Sequence, residues 1–375
     1  MFHKYTVAAL LACTVLDFAS AGEVKIGVVT GITGPIAHTT AESLNITRGY
    51  LAMINAQGGI NGNTLKLVAR DDQYDPAKTG VLVEEAITQD NVVVILSSAG
   101  TANTAAILKT GILAKSKVPM VGVFSGAEIL RGPGTEQIFH TRASYNDEVM
   151  KISRLVSTLG LKRVAVLYQD DGFGAGINES IAKAAQEFKF EVILKAPYKS
   201  GDTDFSGQAR KIIDAHPQAI FLMGVPDAVN RFMKAYDAPV GSSQIYTLSY
   251  VSPKTLADFA GEARVRGIGI SQVVPNPTST VLPLAKEFQA FLKTPYPQGV
   301  KSSPLTFEMY MNLRLVIEAI RMAGPRPTGE LVTQSLKTMH NYRLAGYPID
   351  FTETNRRGSN YLDIAVVGQN GRLSY

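Results

Sequence analysis

Short β-branched runs alternate with longer amphipathic ones along most of the chain, and that beat limits the fold more than any other feature. Residues 24–30 read as a buried strand and 44–56, with apolar residues at helical spacing, as a helix. The series continues through strand 65–69, helix 77–88, strand 92–96, helix 103–115 and strand 118–123. After Thr141-Arg142-Ala143 a second series begins. It runs through helix 147–159, strand 163–168, helix 176–188, strand 191–196, helix 205–215, strand 219–223, helix 227–236 and strands 244–248 and 267–273. Such alternation predicts a parallel sheet with helices on both faces, so two series predict an α/β chain of two doubly wound lobes. Helices over 284–292 and 305–323 pack on one lobe or the other, and proline-rich turns such as Pro275-Asn276-Pro277 punctuate the remainder.

The chain starts with the basic Met1-Phe2-His3-Lys4, an apolar run over 6–16 and the small residues Ala19-Ser20-Ala21. This is the pattern of a signal peptide over 1–21, cleaved near Ala21, and it predicts export to the periplasm. The competing reading, a lipoprotein site at Leu11-Ala12-Cys13, leaves a very short apolar stretch before the cut. Cleavage after Ala21 leaves 375 − 21 = 354 residues, more than one core usually organises. Cys13 is the only cysteine, so the mature chain has no disulfide, thiolate metal site or cysteine nucleophile. The formal charge of +5 comes from scattered residues and there is no tryptophan, which points away from nucleic acid. No later run reaches the roughly 20 apolar residues of a membrane-spanning helix.

Enzyme motifs are missing. The sequence has no phosphate-binding P-loop, no His-Glu-x-x-His and no Gly-x-Ser-x-Gly elbow, and the four histidines after the signal are far apart. The glycine-rich run 169–176 follows a strand as a dinucleotide fingerprint would. Its spacing is wrong, and Asp170-Asp171 would set two negative charges where a pyrophosphate sits. The run reads as a turn that leaves Phe173 available to face a cleft. The expectation is a binding protein with no cofactor and no metal.

Open α/β sheets bind ligands beyond the carboxyl ends of their strands, so the informative residues are in those loops. Ser97-Ser98-Ala99-Gly100-Thr101 offers hydroxyls, a glycine that lets backbone approach closely and helix N-terminal amides, a receptor for a carboxylate or other polar head. Simple capping of the helix by Ser98 and Thr101 is the alternative. Phe124-Ser125-Gly126-Ala127 repeats this chemistry on the next strand. In the second lobe Phe173, Gly224-Val225-Pro226 and Ser249-Tyr250 hold equivalent positions. A cleft lined by both sets would bury a small molecule with an apolar body and a polar head.

Three segments, 27–35 (GVVTGITGP), 54–62 (INAQGGING) and 71–76 (DDQYDP), continued by Arg142-Ala143-Ser144-Tyr145, 168–174 and 270–275, carry a resemblance over essentially the whole mature chain. The chain resembles the Leu/Ile/Val-binding type of periplasmic solute-binding proteins, which serve ATP-driven importers. The resemblance implies the type I periplasmic-binding-protein fold: two Rossmann-like lobes, 22–141 plus 274–345 and 142–273 plus 346–375, joined by three hinge crossings near Arg142, Val273 and Gly346. It implies a monomer whose partners are a small-molecule ligand and a membrane permease. Ser98 and the loop 124–126 match the family's carboxylate-binding serine and amide loop, Phe173 its covering aromatic, and Tyr145 joins the candidate set. Two positions depart from the pattern: Ser249 stands where the amino-acid binders have an acid for the ligand's ammonium, and Thr39 where they have an aromatic. A buried ammonium without a counter-charge is costly. The expected ligand is therefore a carboxylate, aromatic ones included, or an amide, ahead of a branched-chain amino acid. A ligand-sensing regulatory or receptor-type domain of the same fold, not coupled to transport, is the alternative function. The exported start points away from its cytosolic version.

Overall fold

A computed structural model describes residues 22–375; the signal peptide read over 1–21, with Cys13, lies outside the described residues. The first sheet is wholly parallel and has five strands: β1 (Glu23–Thr30), β2 (Thr64–Asp71), β3 (Val94–Leu96), β4 (Met120–Val121) and β5 (Ile138–Phe139), in the order β2-β1-β3-β4-β5. The second contains the parallel strands β6 (Arg163–Gln169), β7 (Glu191–Tyr198), β8 (Ala219–Met223), β9 (Gln244–Thr247) and β10 (Gly269–Gln272). A hairpin, β11 (Tyr342–Leu344) and β12 (Tyr347–Ile349), follows in the chain, and β13 (Asp363–Val367) and β14 (Leu373–Ser374) complete the second sheet antiparallel, giving β14-β13-β10-β9-β8-β6-β7. The central strands β3 and β8 are buried along their whole length, as strands covered on both faces by helices must be. The two-lobed α/β fold expected from the alternation is present.

Several boundaries differ from the sequence reading, each for a local reason. The helix expected over 103–115 is two helices, Thr101–Thr110 and Ile112–Ser116, because Gly111 takes a left-handed φ of 69° that ends the first. The run read as a turn before residue 176 is instead the first turn of helix Gly172–Phe188, since the Asp171 carboxylate caps it. Helices Pro253–Ala260, Glu262–Val265 and Gly329–Lys337 and strands β5, β11 to β14 had no expectation attached.

The chain passes between the lobes after β5, after β10 and once more near the C-terminus. The third passage is not near Gly346. Residues 347–358 stay with the first lobe: Phe351 packs edge-on against Phe139 at 5.1 Å, and His140 forms a parallel bridge with Arg357. The chain enters the second sheet only at β13. The hairpin near Gly346 belongs to neither large sheet, so it does not mark a crossing. Among the described residues no helix is long and apolar enough to cross a membrane.

Candidate functional site

The order β2-β1-β3 sends the connections after β1 and β3 to opposite sides, which opens a crevice between their carboxyl ends. The order β7-β6-β8 does the same in the second sheet. A cavity of about 60 Å³ lies where these two switch points face each other, lined by Thr30 and Ser97 from one lobe and Phe173 and Val225 from the other.

On the first-lobe side, Ser97 turns the chain out of β3 with a φ of 51°. Gly100 follows with a φ of 99°, and a Cβ there would lie 2.5 Å from Asn103 Oδ1 and 2.9 Å from the Tyr74 ring. Only glycine lets Tyr74 lie against the start of helix Thr101–Thr110. That helix has no side-chain N-cap, so its first amides remain available to a polar group. Tyr74 itself is held by the Asp71-Asp72 pair. Asp71 accepts from the amides of Ile32 and Thr33, fixing the loop after β1, while Asp72 accepts from the Tyr74 amide (2.8 Å) and the Thr79 hydroxyl (2.7 Å). Gln73 and Tyr74 both adopt left-handed φ values, 56° and 62°, which swing the tyrosine into the cleft.

On the second-lobe side, Asp171 accepts from the amides of Phe173 (2.9 Å) and Gly174 (3.2 Å) and from the Gln169 side chain, so its carboxylate is occupied. Phe173 packs edge-on against Tyr145 at 5.2 Å, and the hydroxyls of Tyr145 and Tyr250 share a hydrogen bond of 2.6 Å. Phe124 reaches across from the first lobe to within 5.5 Å of the Tyr250 ring. Burial pushes the phenols of Tyr74, Tyr145 and Tyr250 up, keeping them neutral donors and acceptors at pH 7.

Beneath the cavity, at the first crossing, lies the fully buried Arg142. Its guanidinium sits 4.1 Å from the Tyr250 ring and 5.1 Å from the Phe124 ring, two walls of the cavity. Glu308 of the first lobe (3.6 Å) and Glu148 of the second (3.9 Å) flank it. Burial raises the Glu308 carboxyl. The arrangement is a neutralised cluster under the site and leaves no free positive charge in it.

Of the residues expected from sequence, Gly100, Thr101, Phe124, Tyr145, Phe173, Val225 and Tyr250 line this cavity. Four do not. Ser98 is fully buried behind Ser97, because the left-handed turn at Ser97 presents that residue instead. Ser125 backs Thr101 through a 2.8 Å hydroxyl pair. Gly126 lets the Tyr145 amide approach its carbonyl (2.8 Å), where a Cβ would stand 2.6 Å from that nitrogen. Ser249 is turned down to the Arg142 guanidinium, and its amide donates to Glu148 (3.1 Å). Sequence reasoning missed Tyr74, Thr30 and Ile36, all in loops or strand ends that the same strand-end rule points to, and Thr40, Ser43, Leu305 and Met309, on helices to which it does not; Ser97, part of the loop expected to receive the polar head, lines the cavity in place of Ser98. Thr39, noted only as a departure, also lines the wall. None of the lining residues carries a formal charge. Among the described residues no group of three or more His, Cys, Asp or Glu gathers as a metal site.

Two α/β lobes meeting over an aromatic, hydroxyl-lined cavity at facing switch points define a two-lobed small-molecule-binding protein. The chain belongs to the periplasmic binding protein family, whose model matches residues 23–372. A substrate-binding periplasmic protein from Ralstonia solanacearum shares 32% identity and a TM-score of 0.88, over 93% of this chain and 99% of that one. A branched chain amino acid ABC transporter protein from Thermus thermophilus, solved with bound valine, is 21% identical with a TM-score of 0.83, over 95% of each chain. The Leu/Ile/Val-binding protein of Escherichia coli K12 is 22% identical over 69% of this chain and 70% of its own. The family is one of exported solute-binding proteins that bind small molecules and work with the permeases of ABC transporters.

Proposed function

We propose that this chain is the solute-binding component of an ATP-driven importer, exported to the periplasm with its mature start at Gly22, and that it works as a monomer. The ligand is a small molecule with an apolar body and one polar head, an amino acid or a related carboxylate. The head is received by the hydroxyls of Ser97 and Thr101 and the first amides of helix Thr101–Thr110; the body lies among Phe124, Tyr145, Phe173 and Tyr250. The observation that carries this reading is one cavity shared by the switch points of both lobes, so that a ligand touches both and favours the closed form.

Amino acids are the ligands named for the E. coli and Thermus relatives, which supports that class. The uncharged wall of the inner cavity favours a head that needs no carboxylate partner, which supports the deaminated acids. Calorimetry with valine and leucine against isovalerate, benzoate and phenylacetate separates the two. Binding of isovalerate or the aromatic acids at least tenfold tighter than the amino acids is the result expected. Heat from the amino acids alone rejects the preference, and silence across a broad panel of metabolites rejects the solute-binding reading itself.

A further inference from the structure

The cluster around Arg142 is one positive charge short. Arg142, Glu148 and Glu308 are each 2% exposed or less, so one guanidinium is sealed in with two carboxyl groups, at 3.9 Å and 3.6 Å. A guanidinium keeps its charge in proteins. With both acids ionised, the cluster would hold an uncompensated negative charge away from water, which is costly.

The two acids are not equivalent. Glu148 lies in the first turn of helix Tyr145–Thr158, where the helix dipole favours a negative charge, and its Oε2 accepts from the Ser249 amide (3.1 Å) and the Ser271 hydroxyl. Glu308 stands past the first turn of helix Pro304–Met322, and its Oε1 has no hydrogen-bond donor among the described residues. Burial raises the Glu308 carboxyl; Arg142 opposes that and Glu148 reinforces it. The phenols of Tyr145, Tyr250 and Tyr347 around the cluster are pushed up by burial and stay neutral. Burial lowers Arg131 to about 10, so it is charged at pH 7, and it donates to the carbonyls of Arg142 and Ala143. It and the neutral His140 feel the charge of Arg142 and do not act on Glu308.

Both lobes make the seal. Phe124 of the first and Tyr250 of the second lie 5.5 Å apart with the guanidinium against both rings, and Glu308 and Glu148 also come from opposite lobes. Parting the lobes separates the two rings and lets water reach the cluster, where a second carboxylate is solvated. A solute carboxylate in the cavity above would add negative charge to the same buried region.

We propose that Glu308 is a proton site of the closed form, so that a carboxylate solute is captured together with a proton. This rests on the solute-binding reading above. The closed form holds the proton more tightly than the open one. Affinity therefore rises as pH falls through the window between the ordinary carboxyl value of 4.5 and the raised one, by up to about tenfold per pH unit, and is level on either side.

Calorimetry of phenylacetate, isovalerate and leucine in Pipes and in Tris, buffers of different ionisation heat, counts the protons between pH 5.5 and 8.0. Proton uptake is expected for at least one of them, with affinity at least about fivefold higher at pH 5.5 than at 8.0. Glu308→Gln keeps the shape and removes the proton site, so its affinity should be level and its heats equal in the two buffers. Glu148→Gln leaves one carboxylate for one guanidinium and should abolish uptake as well, which carries the test if the first variant does not fold. An infrared difference spectrum of the wild-type protein needs no variant: with the solute's own carboxyl isotope-labelled, an unlabelled protonated carboxyl band should appear on binding. Level affinity with equal heats in the wild-type protein, absence of that band, or an uptake unchanged in Glu308→Gln, or in Glu148→Gln where only that variant folds, overturns the proton site alone and leaves solute binding standing. No heat from these three solutes or from a wider metabolite panel overturns both.

Discussion

His140 shows how a single buried side chain ties the first crossing to pH. It ends β5 at the edge of the first sheet, one ring nitrogen sits 2.8 Å from the Leu130 carbonyl, and the other has no partner among the described residues. The neutral ring donates from Nε2. Burial holds its pKa well below the usual value of 6.5, and the positive charges of Arg131, Arg357 and Arg142 around it act in the same direction. The folded pKa is depressed, so the unfolded chain binds the proton first as pH falls. The stability tied to the neutral ring is therefore complete above about pH 6.5 and is lost below it, at no more than about 1.4 kcal/mol per pH unit for this one group. Urea unfolding at pH 7.5, 6.5, 5.5 and 5.0 is expected to show the decline, and His140→Gln to flatten it. Equal slopes in both proteins would assign the decline elsewhere.

The segment Asp71 to Pro76 shows what one short connection does for the site. Asp71 clamps the loop after β1, Asp72 fixes the amide of Tyr74, and Asp75 caps helix Pro76–Thr88, whose first residue is the proline. Asp72 is buried and accepts from Thr79 and Asn103, so Asp72→Ala removes one acceptor from each of two buried side chains, which keep their bond to each other, and frees Tyr74. A loss of about 1–3 kcal/mol in unfolding free energy is expected, with a weaker ligand affinity because Tyr74 lines the cavity. Denaturant midpoints and calorimetry check the two effects separately. The segment was visible in the sequence as a motif, but its function was not, because the left-handed backbone at Gln73 and Tyr74 leaves no trace in periodicity. The long central strands were legible because burial on both faces writes an apolar run. β4 fell inside the strand expected over 118–123, whereas the two-residue β5 is too short to carry such a signal. Of the site, residues just after strands were legible by rule. Ser98 was misplaced because a one-residue turn at Ser97 exchanges neighbours, and Leu305 and Met309 arrive on helix Pro304–Met322, whose apolar pattern reads as core.

At the scale of the molecule, the cleft is closed partly by groups of one lobe that find their burial in the other. Ile36, from the loop after β1, is 7% exposed and packs within the apolar core of the second lobe. Opening the cleft would return it to water, so it stabilises the closed form without supporting either lobe alone. If only the closed form binds tightly, the apparent dissociation constant is the intrinsic one divided by the closed fraction. Ile36→Ala removes about 1–2 kcal/mol from closure, below the range of about 2–5 kcal/mol for truncation in a core because the residue lies at an interface. It should therefore weaken binding by up to about five- to thirtyfold, the full factor where the free protein is mostly open and a smaller one where it is mostly closed. Ile36 also lines the cavity, so affinity alone does not separate closure from direct contact. The pattern does. A closure effect divides the affinity of every ligand by the same factor and, to the extent that the free protein is closed, raises its radius of gyration in X-ray scattering toward the open form. A contact effect weakens bulky ligands more than small ones and leaves the scattering where it was, and that outcome would remove Ile36 from the hinge equilibrium.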